Sequence, residues 1–175
     1  MLTLAMNTAR LPAELVLGTG ALGHLAPEEA TKTIRAALSV GIGWVDSASE
    51  EVCSEPQIAA ALPGMKGVRV ATKITPINDR DTGTVRRALI DDIYRSCTRL
   101  RTDRLDALLL DDTRHMTSHA GVVWHTIKRL RDHGTIYDLG MCVREPNEAL
   151  AALSDPDIRH IQIAFAPFDR RWRAP

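Results

Sequence analysis

Three ionisable residues lie where short apolar runs end, and a fourth, Glu51, follows shortly after one of them. Asp46 closes Gly43-Trp44-Val45, Lys73 closes Val68-Arg69-Val70-Ala71-Thr72, and Asp111 follows Leu108-Leu109-Leu110. Glu51 sits between Asp46 and a helix start at Ser54. Three carboxylates near one lysine can keep one carboxyl protonated at neutral pH, and so supply a general acid. The plainer alternative is a buried Asp46–Lys73 pair kept for packing, because removing either partner strands a charge. Cys142 stands near the end of another run, Ile136 to Val143. No histidine is placed by sequence to activate it, so it reads as a small packed residue. Asp111, Asp112, His115 and His119 are plausible metal ligands. A helix opening at Ser118 would leave His115 on a loop without fixed geometry, so no metal is assigned. His24, His125, His133 and His160 read as surface or helix-end residues.

The elements that must hold these groups alternate strictly. Leu15 to Leu17 is a short strand ending at Gly18-Thr19-Gly20. Pro27 to Val40 has Pro-Glu-Glu at its head and Gly41 at its end, the chemistry of helix termini. The Asp46 run follows, then a short helix from Ser54 to Leu62 stopped by Pro63-Gly64. After the Lys73 strand, Asp81 to Arg101 carries Val85, Leu89, Ile93, Cys97 and Leu100 at helical spacing. Leu108 to Leu110 suits a strand buried on both faces. A helix from Ser118 to Gly134, a strand over Ile136 to Val143, a helix from Pro146 to Leu153 and a strand from Ile158 to Phe165 complete the series. Strands alternating with helices imply a parallel sheet with right-handed crossovers. Gly18-Thr19-Gly20-Ala21-Leu22-Gly23 fits the dinucleotide pattern GxGxxG, with Asp46 as its acid. The helix begins only after His24-Leu25-Ala26, so these glycines do not open it, and a doubly wound sheet is disfavoured.

Composition narrows the classes. The 175 residues are 45% hydrophobic and 25% charged, as expected of one folded domain over 1–175. Lys+Arg and Asp+Glu are both 22, without the basic excess that nucleic-acid binding favours. No apolar run approaches the roughly 18 residues of a membrane span, and the N-terminus has no signal-peptide pattern. Three widely spaced cysteines fit neither a disulfide framework nor a CxxC zinc site, and point to the cytoplasm.

The strand-end residues, taken together, resemble the aldo-keto reductase family. They are Leu17-Gly18-Thr19-Gly20, Asp46-Ser47-Ala48, Ser54-Glu55, Ala71-Thr72-Lys73, Arg104 to Leu110, Leu139-Gly140, and Ile161-Gln162 through Phe168-Asp169-Arg170-Arg171. Order and spacing match across nearly the whole chain. The resemblance implies an α/β fold, an incomplete (β/α)8 TIM barrel with about six of eight strands and without the final two β/α units. It implies NADPH-dependent reduction of aldehydes or ketones, with Asp46 and Lys73 tuning a proton donor, and with Gly18, Thr19, Gln162 and Cys142 on the cofactor side. The family's tyrosine falls on Glu51, its histidine on Asp111, its Ser-Asn pair on Cys142-Val143 and an asparagine on Ala166. Tyr94 and Tyr137 lie in the wrong places to substitute. The activity is therefore expected to be impaired, and a non-catalytic scaffold or a lyase or isomerase using the carboxylate–lysine cluster are the alternatives. Similarity to bacterial members through Tyr94-Arg95-Ser96-Cys97 and Asp155 to Gln162 implies a small carbonyl or sugar-derived substrate. An incomplete ring is expected to expose its inner face and two parallel edges, to be covered by a second copy, another chain or a rearranged terminus. Arg170, Arg171 and Arg173, with Trp172, read as a solvated end.

Overall fold

The computed structural model describes residues 2–5 as backbone, and 15–47, 54–74, 81–166 and 168–172 in full. Seven strands form one sheet in the order β1-β7-β6-β5-β4-β3-β2. The strands are β1 (Leu2–Ala5), β2 (Val16–Gly18), β3 (Trp44–Asp46), β4 (Arg69–Ile74), β5 (Leu105–Leu110), β6 (Ile136–Val143) and β7 (Ile158–Ile163). From β2 to β7 every pair is parallel. Helices α1 (Pro27–Ser39), α2 (Ser54–Ala61), α3 (Thr82–Leu100), α4 (Val122–Asp132) and α5 (Pro146–Leu153) alternate with them. Asp81 caps α3 by accepting from the backbone N–H of Gly83 and Thr84, and Arg101 ends it in the left-handed conformation. The principal core lies between the helices and one face of the sheet, where Ile34, Ile58, Leu108, Leu110, Ile127, Leu139 and Met141 are fully buried. Each such side chain contributes about 2 kcal/mol on leaving water.

The other face of the sheet is concave. Trp44 on β3 and His160 on β7 are four strand steps apart, about 19 Å in a flat sheet. Their ring centroids are 5.3 Å apart, edge to face. Only a sheet curled into part of a barrel brings them together. The curl buries the inner face: Trp44, Ala71, Ala107, Leu109 and Cys142 form a second, smaller cluster. Gly140 permits the close fit, since a Cβ there would meet the His160 carbonyl oxygen and Leu109 Cγ at 2.8 Å each.

Several expectations are corrected. The inner face is buried rather than exposed, because bulky side chains fill the concavity. One edge is covered from within the chain, by a terminal segment rather than by a second chain: β1 pairs antiparallel with β7, with Leu2 opposite Ile163 and Leu4 opposite Ile161. Four residues of alternating pattern are too short a signal to mark that strand in sequence. Helix α4 begins at Val122, not Ser118, because His119 and Ala120 have φ of 53° and Gly121 of 75°, which no α-helix accepts. His160 is a buried residue, bonded through Nε2 to Asp138 Oδ2 at 3.1 Å. Arg170 and Arg171 are exposed, as a solvated end requires, while Trp172 packs against the principal core and Arg171 bonds Asp169 and Glu145; Arg173 lies outside the described residues. Among the described residues no helix is long and apolar enough to cross a membrane.

Gly140→Ala should overpack the concave face at a cost of about 1–3 kcal/mol, read from the midpoint of urea unfolding. An unchanged midpoint would show that the crowding at Leu109 and His160 is not felt.

Candidate active site on the strand rim

Parallel strands place all their C-terminal ends on one rim. Asp46 is the last residue of β3, Lys73 is next to last in β4, and Cys142 and Gln162 are next to last in β6 and β7. Asp111 follows β5 directly. Asp46 is fixed from three sides. Lys73 Nζ donates to its Oδ1 at 2.6 Å, and Gln162 Nε2 to its Oδ2 at 2.9 Å. Thr19 holds its backbone, with both N–H and Oγ1 donating to the Asp46 carbonyl at 3.1 and 2.9 Å. The Asp46–Lys73 pair is largely buried, at 7% and 13% side-chain exposure. Nearby, Ser47 and Ser54 hydroxyls bond at 2.7 Å and tie the rim to α2.

The chain of hydrogen bonds continues from Gln162, whose Oε1 accepts from Cys142 Sγ at 3.1 Å. Burial pushes the Cys142 thiol up to about 12. Lys73 and Arg144 pull it down, while Asp111 and Asp46 push it further up. One thiol therefore feels four charges, two of each sign. Arg144 reaches back from the end of β6, with its guanidinium 3.4 Å from Asp111 Oδ2.

The structure thus gathers Asp46, Lys73, Cys142, Gln162, Thr19 and Asp111 on one rim. Gly18 ends β2 beside them, with no atom within 4 Å of where its Cβ would be. Glu51 lies outside the described residues. Tyr94 on α3 and Tyr137 at the opposite end of β6 are half-exposed or more and reach no rim group. Sequence reasoning missed Arg144; its signal was its place directly after the Cys142-Val143 positions. His115 is buried in a 3-10 turn after Asp111, its Nδ1 without a partner, and burial pushes its pKa down. Among the described residues no group of three metal-ligating side chains converges.

A nicotinamide carboxamide would need free amide groups on Gln162 and beside it. Gln162 is 2% exposed and is bonded at both ends within the protein. Val143 faces the outer core. These residues, as arranged, do not fit that group.

A curled parallel sheet with helices on its convex side and charged groups on the C-terminal rim defines a partial (β/α)8 barrel. The chain belongs to the aldo/keto reductase family, whose model matches residues 14–174. Among solved structures it is similar to an aldo-keto reductase from Bacillus halodurans in its holo form, with TM-score 0.75 and 22% identity. That match covers 98% of this chain and 60% of the other. An aldo-keto reductase from Klebsiella pneumoniae in complex with NADPH gives TM-score 0.65 and 22% identity, covering 81% of this chain and 50% of that one. A Pseudomonas aeruginosa protein assigned to the same family gives 0.74 and 22%, covering 91% and 66%. The chain thus spans about half to two thirds of their length. No curated protein matches it significantly.

Two measurements test the site. Lys73→Met should destabilise the fold by about 3 kcal/mol, since it leaves a buried carboxylate without its cation. A loss under 0.5 kcal/mol would mean that the pair is solvated. At pH 8 Cys142 should alkylate with iodoacetamide roughly a thousandfold more slowly than an ordinary thiol, by peptide mass spectrometry, and at the ordinary rate in urea. Equal rates in the native protein would disprove its burial.

Proposed function

We propose that this chain is an aldo-keto reductase in which NADPH-dependent reduction of aldehydes and ketones is impaired. The observation that carries the reading is the closure of Gln162 onto Asp46 and Cys142, at 2.9 and 3.1 Å. The residue that the resemblance gives to the nicotinamide is buried, with its Nε2 and its Oε1 each engaged inside the protein. The chemistry of the rim points the same way. Carbonyl reduction needs an acid to protonate the developing alkoxide. Asp111 stands where the family has an imidazole, and no phenol among the described residues reaches the rim. What remains is an ammonium and a guanidinium that can stabilise negative charge on an oxygen, beside two carboxylates that can accept a proton.

That remainder favours a second reading, a lyase or isomerase working by acid and base on a small carbonyl or sugar-derived substrate. Lys73 pairs with Asp46 at 2.6 Å and Arg144 with Asp111 at 3.4 Å, two ion pairs on one rim. The described cysteines are free, which supports action in the cytoplasm.

Titrating NADPH while following its fluorescence tests the main reading. The expected result is no saturable change below about 1 mM, and no carbonyl-dependent NADPH oxidation. Binding in the low micromolar range, against a free energy of about −8 kcal/mol for 1 μM, would overturn it. Glu51→Tyr combined with Asp111→His should leave the cofactor affinity as low as before, because neither change frees Gln162.

A further inference from the structure

Arg144 is unlike the other arginines near the rim. Arg171 spends its Nε and both terminal nitrogens on Asp169 and Glu145, and Arg114 lies along Asp112. Arg144 makes one guanidinium contact among the described residues, to Asp111 at 3.4 Å, and its side chain is 61% exposed. A guanidinium has five N–H donors in a planar fork, so most of its capacity is unused. Its base is nonetheless held firmly. The Arg144 N–H donates to Glu148 Oε2 at 2.6 Å, and its carbonyl accepts from Arg171 at 3.3 Å. Glu148 in turn belongs to the capping box of α5. The side chain therefore leaves a fixed point and lies against Asp111.

We propose that Arg144 is a specificity-determining residue that takes the carboxylate of a small keto acid, with Asp111 as the internal carboxylate it leaves. Three observations carry this. Asp111 already shows that a carboxylate sits against this guanidinium, through one long contact rather than a bidentate one. A free carboxylate can approach the fork side-on with two short bonds, which Asp111, anchored to the end of β5, does not make. Lys73 is next to last in β4, the strand beside β5 that Asp111 follows, and among the described residues its ammonium gives bonds only to Asp46 and the Ser47 carbonyl, which leaves one N–H for a carbonyl next to the bound carboxylate. The inference rests on the rim being a small-molecule site. It does not need hydride transfer or cofactor.

The test is a chemical-shift titration of the full chain with pyruvate, acetone and inorganic phosphate. Pyruvate should bind at least tenfold more tightly than acetone. Arg144→Gln should weaken pyruvate about tenfold and leave acetone unchanged, while Arg144→Lys, which keeps the charge and loses the fork, should recover only part. Asp111→Asn should act in the opposite direction and tighten pyruvate several-fold, by removing the competing carboxylate. Both positions are at least one third exposed, and circular dichroism of each variant confirms that it is folded. Pyruvate binding no tighter than that of acetone, or unaffected by Arg144→Gln, would overturn the proposal. Phosphate that binds more tightly than pyruvate and displaces it would also overturn it, assigning the guanidinium to a phosphate instead. NADPH oxidation is measured separately, so a failed reductase reading shows there, and a failed carboxylate site shows only in the pyruvate titration.

Discussion

The hydrogen bond between Gln162 and Asp46 holds the molecule in its shape. It joins β7 to β3 across 116 residues of sequence and across the hollow of the sheet, at 2.9 Å. An acid buried at the end of a strand is costly unless every lone pair is engaged. Here the carboxylate receives an ammonium on one oxygen and an amide on the other, while Thr19 fixes its backbone. Charge satisfaction and curvature are thus the same event. If the sheet flattened, Asp46 would lose Gln162 and Trp44 would lose His160 together.

That economy has a chemical consequence. In a barrel with its site on the strand rim, the last inward side chains of each strand usually face the substrate or coenzyme. In this chain Gln162 and Cys142 face each other, and Asp46 and Lys73 face each other. The rim carries a self-satisfied polar chain from Lys73 through Asp46 and Gln162 to Cys142, with the more exposed Arg144–Asp111 pair beside it. Such a chain gains rigidity from its hydrogen bonds, and the same bonds withdraw most of its donors and acceptors from anything arriving outside. The exposed pair is where this rim still has capacity to exchange one partner for another.

Much of this was legible in the sequence, for identifiable reasons. Helix α3 announced itself because Val85, Leu89, Ile93, Cys97 and Leu100 repeat at its period and Asp81 is an ideal cap. Leu108 to Leu110 read as a doubly buried strand because both faces of it are apolar. Asp46 and Lys73 were placed together because each ends a strand and the strands are neighbours. What could not be read depends on curvature. His160 lies on a strand of imperfect alternation, and its burial follows from Trp44 approaching from the far side. The Gln162–Asp46 bond has no local signature, since neither residue's neighbours imply the other. Arg144 was passed over because an arginine after a strand is ordinarily a solvated turn residue. Only the position of Asp111 one strand away gives it a role. The left-handed backbone at His119 and Ala120 hid the true start of α4, because neither residue type advertises that conformation.

The pairing of β1 with β7 sets an order on how the protein comes to be made. Leu2 and Ile163 are opposite one another in the finished sheet. Strand β1 must therefore wait, unpartnered, until β7 has been made. Contacts of such long sequence separation form slowly, and hydrophobic strand segments are at their most adhesive while they wait. Leu-Thr-Leu-Ala carries no charge or proline to keep other chains away in that interval. The burden of keeping the nascent polypeptide apart from its neighbours in that interval thus falls on the charged helices that lie between the two strands.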